Sequence, residues 1–260
     1  MSELTVLVPC FNNEAILRPC LESARLVADE LFVVDSGSTD ATRDIAAEFT
    51  DRVVVHEYVN SAAQKNWAIP QARHPWVLVL DTDERITPEL AEEIRFVLSG
   101  EPAHDGYRIH RQNHFFGQPI HYCGWERDDC LRLFRRDRSR YEEKHVHADV
   151  LVEGGDVGRL NGRLLHYTYA SFDQYLEKFG RYTTWSARDL HAAGKRPTAR
   201  NLLWRPAFRF VKMYVLRKGY RDGTAGLILC MLAAFSVFMK YAKLWEIERA
   251  EGLFTEDPRG

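Results

Sequence analysis

Two aspartates, Asp81 and Asp83, close an apolar run that begins at Trp76 (Trp-Val-Leu-Val-Leu-Asp-Thr-Asp-Glu). In an extended chain alternate side chains share a face, so these carboxylates point the same way. Carboxylates that close repel each other unless a cation or polar ligand stands between them. Oxygen ligands of this kind suit Mg²⁺ or Mn²⁺, which take a few carboxylates together with substrate phosphates. Asp-x-Asp also occurs in solvated turns, but the carboxyl end of a buried strand is where open α/β sheets bind ligands. Pro9 to Glu14 and Asp35 to Asp40 are polar groups at two further strand ends that converge on the same edge.

The elements that must hold these groups alternate between strand and helix over the first hundred residues. Short apolar runs predict strands at 4–8, 30–35, 53–56 and 77–80. Helical spacing covers 14–30, with Pro19 tolerated in its first turn, then a helix capped by Asp40 and running to about Phe49, then 62–72. Thr87-Pro88 opens another helix. Such alternation implies a mainly parallel sheet covered on both faces. No Gly-x-Gly-x-x-Gly follows the first strand, which argues against a Rossmann dehydrogenase. Beyond Gly100 the pattern changes: 106–111 and 150–152 read as strands around a stretch rich in Arg, His and aromatics. From Ser171 the pattern is helical.

The chain has 260 residues, enough for one large domain or a domain with an appendage. Its five cysteines are odd in number and scattered, and the start enters a strand without a basic leader, so reduced thiols in the cytoplasm are expected. Cys123 and Cys130 with His114 and His121 match no common zinc spacing. A net charge of −2 hides a block, 195–221, with nine Lys or Arg and no acid.

The segments VPCFNNE, VVDSGSTD, QKNWAI and LDTDE, in this order, resemble the family 2 glycosyltransferases of GT-A fold over roughly residues 3–170. The resemblance implies an α/β, mostly parallel GT-A catalytic domain over 1–170. Its nucleotide-sugar half is 1–100 and its acceptor half 101–170, and a helical, membrane-associating region follows at 171–260. It implies that Phe11 stacks on the uracil of a UDP-sugar beside Pro9, that Asp35 accepts from the base, and that Glu14 lies near the nucleoside. Lys65 and Asn66 approach the ribose-diphosphate, Asp81 touches the ribose, and Asp83 binds a divalent Mn²⁺ or Mg²⁺. Ser36 stands where many relatives have a second Asp, which leaves base selectivity open. A leaving group of two to three negative charges needs such cations.

Gly124-Trp125-Glu126-Arg127-Asp128, with Arg132-Leu133-Phe134, resembles a bacterial subgroup that adds glucose to an inner-core heptose of lipopolysaccharide or lipooligosaccharide. In that frame Asp128 is the general base, with Asp129 as competitor. Arg132 and Trp125 face an anionic acceptor. His147, in a departure from the subgroup's Val-His-Glu, joins the metal or the diphosphate. Transfer of another UDP-sugar to a different glycan or to a polyprenyl phosphate is the alternative, as is a non-catalytic sugar-nucleotide-binding protein. The absence of a QxxRW motif points to addition of a single sugar.

On a helical wheel Arg205, Arg209 and Lys212 share one face, and Leu203, Ala207, Phe210 and Tyr214 the opposite one. A basic amphipathic helix of this kind lies on an anionic membrane surface. The run 225–239 falls short of the roughly 20 residues that span a bilayer. A peripheral protein on the cytoplasmic face of the inner membrane is expected, with a lipid-linked glycan acceptor and no nucleic-acid partner.

Overall fold

The first strand, β1 (Leu4–Cys10), shows why the sheet must be covered twice. Val6 and Val8 bury into one apolar cluster and Leu7 into another, as side chains alternating across a two-sided sheet must. The computed structural model describes residues 2–142, 149–169 and 171–255. The chain continues through α1 (Leu17–Ala24), β2 (Glu30–Asp35), α2 (Thr42–Ala47), β3 (Val53–Val55) and α3 (Ser61–Ala68). Next come β4 (Trp76–Val79), β5 (Glu84–Ile86), α4 (Pro88–Ser99), β6 (Gly106–Phe115), β7 (Gln118–Pro119) and β8 (Asp129–Arg135). Then follow β9 (Ser139–Tyr141), β10 (Val150–Val152), β11 (Val157–Tyr169), α5 (Phe172–Ala192), α6 (Ala199–Val211) and α7 (Gly223–Thr255).

The sheet order is β3-β2-β1-β4-β8-β6-β11-β5, with β7 paired to β6. β3, β2, β1 and β4 are parallel, and the register Cys10↔Asp35 brings the carboxyl ends of β1 and β2 level. β8 then runs antiparallel to both β4 and β6, and β11 antiparallel to β5. The sheet is therefore mixed rather than mostly parallel. Strands after α4 lack the helical crossovers that parallel pairing requires. On one face α1 and α4 pack Leu17, Leu21, Leu90 and Ile94 against Val6, Val8, Leu78 and Leu80. On the other, Ala62, Ala68 and Ile69 cover Leu7, Phe32 and Val79.

Local chemistry sets several boundaries. The helix expected over 14–30 is only Leu17–Ala24, because Asp29 accepts from Leu4 N (2.8 Å) and draws the chain into β2. Ala41, not Asp40, holds the N-cap of α2, although Asp40 still accepts from Thr42 N (3.0 Å). Asn60 caps α3 through Ala63 N, and Thr87 caps α4 through Leu90 N with Pro88 in the first turn. Gly162 on β11 lies where a Cβ would stand 2.5 Å from Leu90 Cα, so only glycine fits.

The chain divides into two compact units, Met1–Gln112 with Arg127–His166, and Asn113–Glu126 with Tyr167–Gly260. Asn113–Glu126 thus groups with the helices, which a single cut near residue 170 does not anticipate. In this second unit Phe115, Ile120, Cys123, Tyr175, Met213, Leu229 and Cys230 form the core, and Ser171 and Thr198 cap α5 and α6. α7 runs 33 residues, well past the fifteen-residue apolar run. Among the described residues, Gly219–Ala250 is the one helix long and apolar enough to cross a membrane by length and composition.

Candidate active site

At the carboxyl ends of β1 and β2, two loops are stitched together by side chains. Asn12 adopts a left-handed backbone (φ 49°), a conformation Asn tolerates. Its N–H donates to Ser38 Oγ (2.8 Å) while its Oδ1 accepts from Thr39 N (2.9 Å). Asp35 is fully buried and accepts from Gly37 N (2.9 Å), Ser38 N (2.8 Å) and Ser38 Oγ, so here it holds the turn. This scaffold frames a cavity of about 400 Å³ lined by Pro9, Phe11, Ser36, Tyr58 and Gln64. Phe11 and Tyr58 are both more than half exposed, and Gln64 Nε2 fixes Ser36 Oγ at 2.6 Å. Two exposed aromatics lining one cavity with a hydroxyl and an amide suit a flat heterocycle.

A second cavity, of about 360 Å³, lies at the carboxyl end of β4. Its walls carry Lys65, Asp81, Arg111, Asp128, Asp129, Arg132, Tyr141 and Asp149. The charges form a chain. Lys65 Nζ donates to Asp81 Oδ1 (2.9 Å), and Arg132 Nη2 to both Asp81 Oδ2 and Glu84 Oε1 (2.6 Å). Arg111 Nη1 reaches the same Glu84 oxygen at 3.5 Å, and Arg111 Nη2 holds Asp128 Oδ1 at 2.7 Å. Glu84 is completely buried, and its Oε2 also accepts from Asp81 N (3.1 Å). Burial opposes the charge on Asp81, but Arg132 and Lys65 outweigh it and hold this carboxyl far below the usual range. Burial likewise pulls Lys65 down, and Asp81 more than restores it. Arg111 Nε, Arg132 Nε and Tyr141 Oη are buried without a hydrogen-bond partner among the described residues. Buried donors of this kind are costly unless something accepts from them.

Asp83 stands beside His166, its Oδ2 3.5 Å from the imidazole Nε2, because β11 pairs with β5 in the register His166↔Glu84. Among the described residues no group of three or more His, Cys, Asp or Glu gathers as a metal site. A carboxylate and an imidazole nonetheless fit Mn²⁺ or Mg²⁺ when phosphate oxygens complete the shell.

The remaining expected residues divide: Asp129 and Arg132 share the second cavity, and Glu14, Asn66 and Trp125 do not line it. Asp129 has a partner on each oxygen, the His110 imidazole on Oδ1 (3.2 Å) and the Arg159 guanidinium on Oδ2. Glu14 is exposed and accepts from Ala41 N (3.0 Å), outside both cavities. Asn66 spends its amide on the backbone of Tyr141 (2.9 and 2.7 Å), pinning β9. Arg132, expected against the acceptor, is 6% exposed and sits at the centre of the charge chain. Trp125 packs edge-on against Phe115 in the second unit and lines neither cavity. His147 lies outside the described residues.

The Glycosyl transferase family 2 profile matches residues 5–149, a span that holds all the named residues of both cavities; His166 and Arg159 lie beyond it. The chain belongs to glycosyl transferase family 2. It is 30% identical over 94% of its length, and 92% of the relative's, to the lipopolysaccharide core biosynthesis glycosyltransferase LpsC of Rhizobium meliloti. It is 26% identical, over 95% of its length and 88% of the relative's, to an uncharacterized glycosyltransferase of Rickettsia typhi. Among solved structures, S. aureus TarS 1–349 in complex with UDP-GlcNAc aligns over 96% of this chain and 92% of that one, at 14% identity and a TM-score of 0.47. The protein is therefore a glycosyltransferase, built on the mixed, helix-covered sheet described above.

Several residues of this family 2 site carry no strong local signal. Glu84 follows the Asp-x-Asp pattern and reads as one more turn acid. Arg111 is one of five consecutive polar residues in a strand, His166 is a lone histidine in another, and Tyr58 and Tyr141 are single aromatics. Gln64 alone had a cue, one position before Lys65 in the segment QKN.

Proposed function

We propose that this enzyme is a metal-dependent, inverting glycosyltransferase that moves one glucose from UDP-glucose to an inner-core heptose of lipopolysaccharide. The observation that carries the chemistry is the cavity at the end of β4. Its lining cations are Lys65, Arg111 and Arg132, and its lining anions Asp81, Asp128, Asp129 and Asp149, so one negative charge is in excess. A diphosphate cannot enter such a site on side-chain cations that are already paired. A divalent ion would supply the missing positive charge; Asp83, two residues from the Asp81 of this cavity, would hold it with His166, and bound there it would neutralise the departing UDP.

The residues of the chain supply the rest. Phe11 and Tyr58 sandwich or wall the uracil, with Ser36 and Gln64 presenting polar edges. Lys65 and Arg132 hold Asp81 rigidly for the ribose. Asp128 takes the proton of the acceptor hydroxyl, as an inverting displacement requires of one carboxylate. Asp129 is the weaker candidate, since His110 and Arg159 occupy both its oxygens. The likeness to LpsC supports the lipopolysaccharide acceptor. That acceptor sets the enzyme to work at the cytoplasmic face of the inner membrane.

The test is UDP release from a panel of UDP-sugars with Mn²⁺ or with EDTA, for the wild type and Asp83→Ala. Metal-dependent release from UDP-glucose, lost in Asp83→Ala, supports the reading. Release from another donor alone replaces glucose. Neither release nor binding of any UDP-sugar overturns the proposal.

A further inference from the structure

α6 has no buried residue along its thirteen positions, an unusual state for a helix whose apolar content is high. Leu203, Trp204 and Phe208 are 68, 72 and 62% exposed, and Ala207 and Val211 beside them are also exposed. These positions, spaced i, i+1, i+4, i+5 and i+8, make one continuous outward stripe. The wheel expected from sequence paired Leu203 and Ala207 with Phe210 and Tyr214. In the structure Phe210 and Tyr214 stack on each other (5.1 Å) and pack inward, while Leu203 and Ala207 belong to the outer face. The stripe continues through Val215 and Leu216 in the π turn after α6. Exposed Arg205, Arg209 and Lys212 flank it on one side, with Arg200 near its start.

We propose that α6 is an in-plane membrane helix, which docks on the anionic phospholipid surface with Leu203, Trp204, Phe208 and Val211 in the interface and its flanking cations on the phosphates. Three observations on this unit support that occupant. A groove of about 1020 Å³ along α6 is lined by Arg200 and Arg205 together with Leu203, Trp204 and Phe208, the mixture of cation and apolar surface that suits a lipid phosphate over its acyl chains. Lys240 is held below the ordinary ammonium range by burial and then by Arg205 and Arg209, like-charge crowding that an anionic surface relieves. Finally, 195–221 contains nine cations and no acid, so a second copy meeting this face would repel itself.

α7 is the competing membrane element, and its side chains keep it in the bundle. Lys243 Nζ donates to Gly180 O, Thr183 Oγ1 and Thr184 Oγ1 at 2.7–2.9 Å, and Tyr241 Oη accepts from Arg205 Nη1. Spanning a bilayer would break these bonds and carry two lysines, Lys240 and Lys243, into hydrocarbon. The inference reaches beyond the transfer reaction and stands whether or not the donor is UDP-glucose.

The experiment is co-sedimentation of the purified full chain with vesicles of phosphatidylcholine alone or mixed equally with phosphatidylglycerol. Melting followed by circular dichroism confirms that each variant is folded, and UDP release reads the catalytic unit separately. Wild type should pellet with the anionic vesicles and stay soluble with the neutral ones. Leu203→Glu/Phe208→Glu and Arg200→Glu/Lys212→Glu should each weaken anionic binding about tenfold or more, with melting and UDP release unchanged. The proposal is overturned if neutral vesicles bind equally well, or if the folded double variants bind like wild type. It is overturned too if sedimentation without lipid shows a dimer that Leu203→Glu/Phe208→Glu abolishes.

Discussion

Glu84→Gln removes the buried charge that joins the two arginines while leaving the side chain's shape intact. Glu84 is inaccessible to solvent, and its closest charge-assisted contact is Arg132 Nη2 at 2.6 Å; the Arg111 contact at 3.5 Å is marginal. The glutamine carbonyl still accepts one bond, so the loss is that of one charge-assisted hydrogen bond in the interior, about 2 kcal/mol. That is below the roughly 3–5 kcal/mol of a buried ion pair broken outright. At about 2–4 °C per kcal/mol for a unit of this size, the melting temperature should fall by roughly 4–8 °C. Catalysis should fall further than stability implies. With the anion between them gone, Arg111 is left to Asp128 and Arg132 to Asp81, which stabilises the charged base and weakens it as a proton acceptor. Turnover should drop about tenfold to a hundredfold, while KM for the UDP-sugar moves about twofold. The assay is differential scanning calorimetry beside steady-state UDP release across pH. A Glu84→Gln enzyme melting within about 1 °C of wild type and turning over within about twofold would refute the linkage.

Further outcomes follow from other parts of the fold. Asp81, held below the usual carboxylate range against burial by Arg132 and Lys65, adds stability that is complete above the unfolded value of about 3.9 and is lost as pH falls below it. Urea midpoints taken downward from pH 5 should therefore fall more steeply for wild type than for Asp81→Asn. Phe11→Ala, at a half-exposed position, should leave the melting temperature within about 2 °C yet weaken UDP binding by about tenfold in calorimetric titration. Gly162→Ala forces a methyl onto Leu90 Cα and should cost about 1–3 kcal/mol or more in denaturant unfolding, with no change in the donor KM. Cys10, pushed far up first by burial and then by Asp35, should resist iodoacetamide at neutral pH in the folded enzyme, read by mass spectrometry after quenching.

What the sequence made legible is what is local. The apolar run into Asp81-Thr82-Asp83 needs only the two-residue period of a strand to put both carboxylates at a sheet edge, and the Pro9 and Asp35 loops follow from the same rule. The partners of those groups are set by pairings that span the chain. Glu84 becomes a buried hub only because β8, which carries Arg132, lies antiparallel to β4, and because β6, which carries Arg111, pairs with β8. His166 reaches Asp83, 83 residues upstream, through one antiparallel register, β11 on β5. No window of adjacent residues encodes such a meeting. α6 illustrates the converse limit. Its periodicity is strong, yet helical spacing reports only that apolar residues share a stripe and never which stripe the neighbouring helices will cover. Here two stripes are apolar. One, through Phe210, is satisfied by the core of its own unit, and the other, through Trp204 and Phe208, stays exposed among the described residues. Burial turns an ambiguous wheel into a definite outward face, and an apolar face bordered by unopposed cations has a physical meaning that composition alone does not reach.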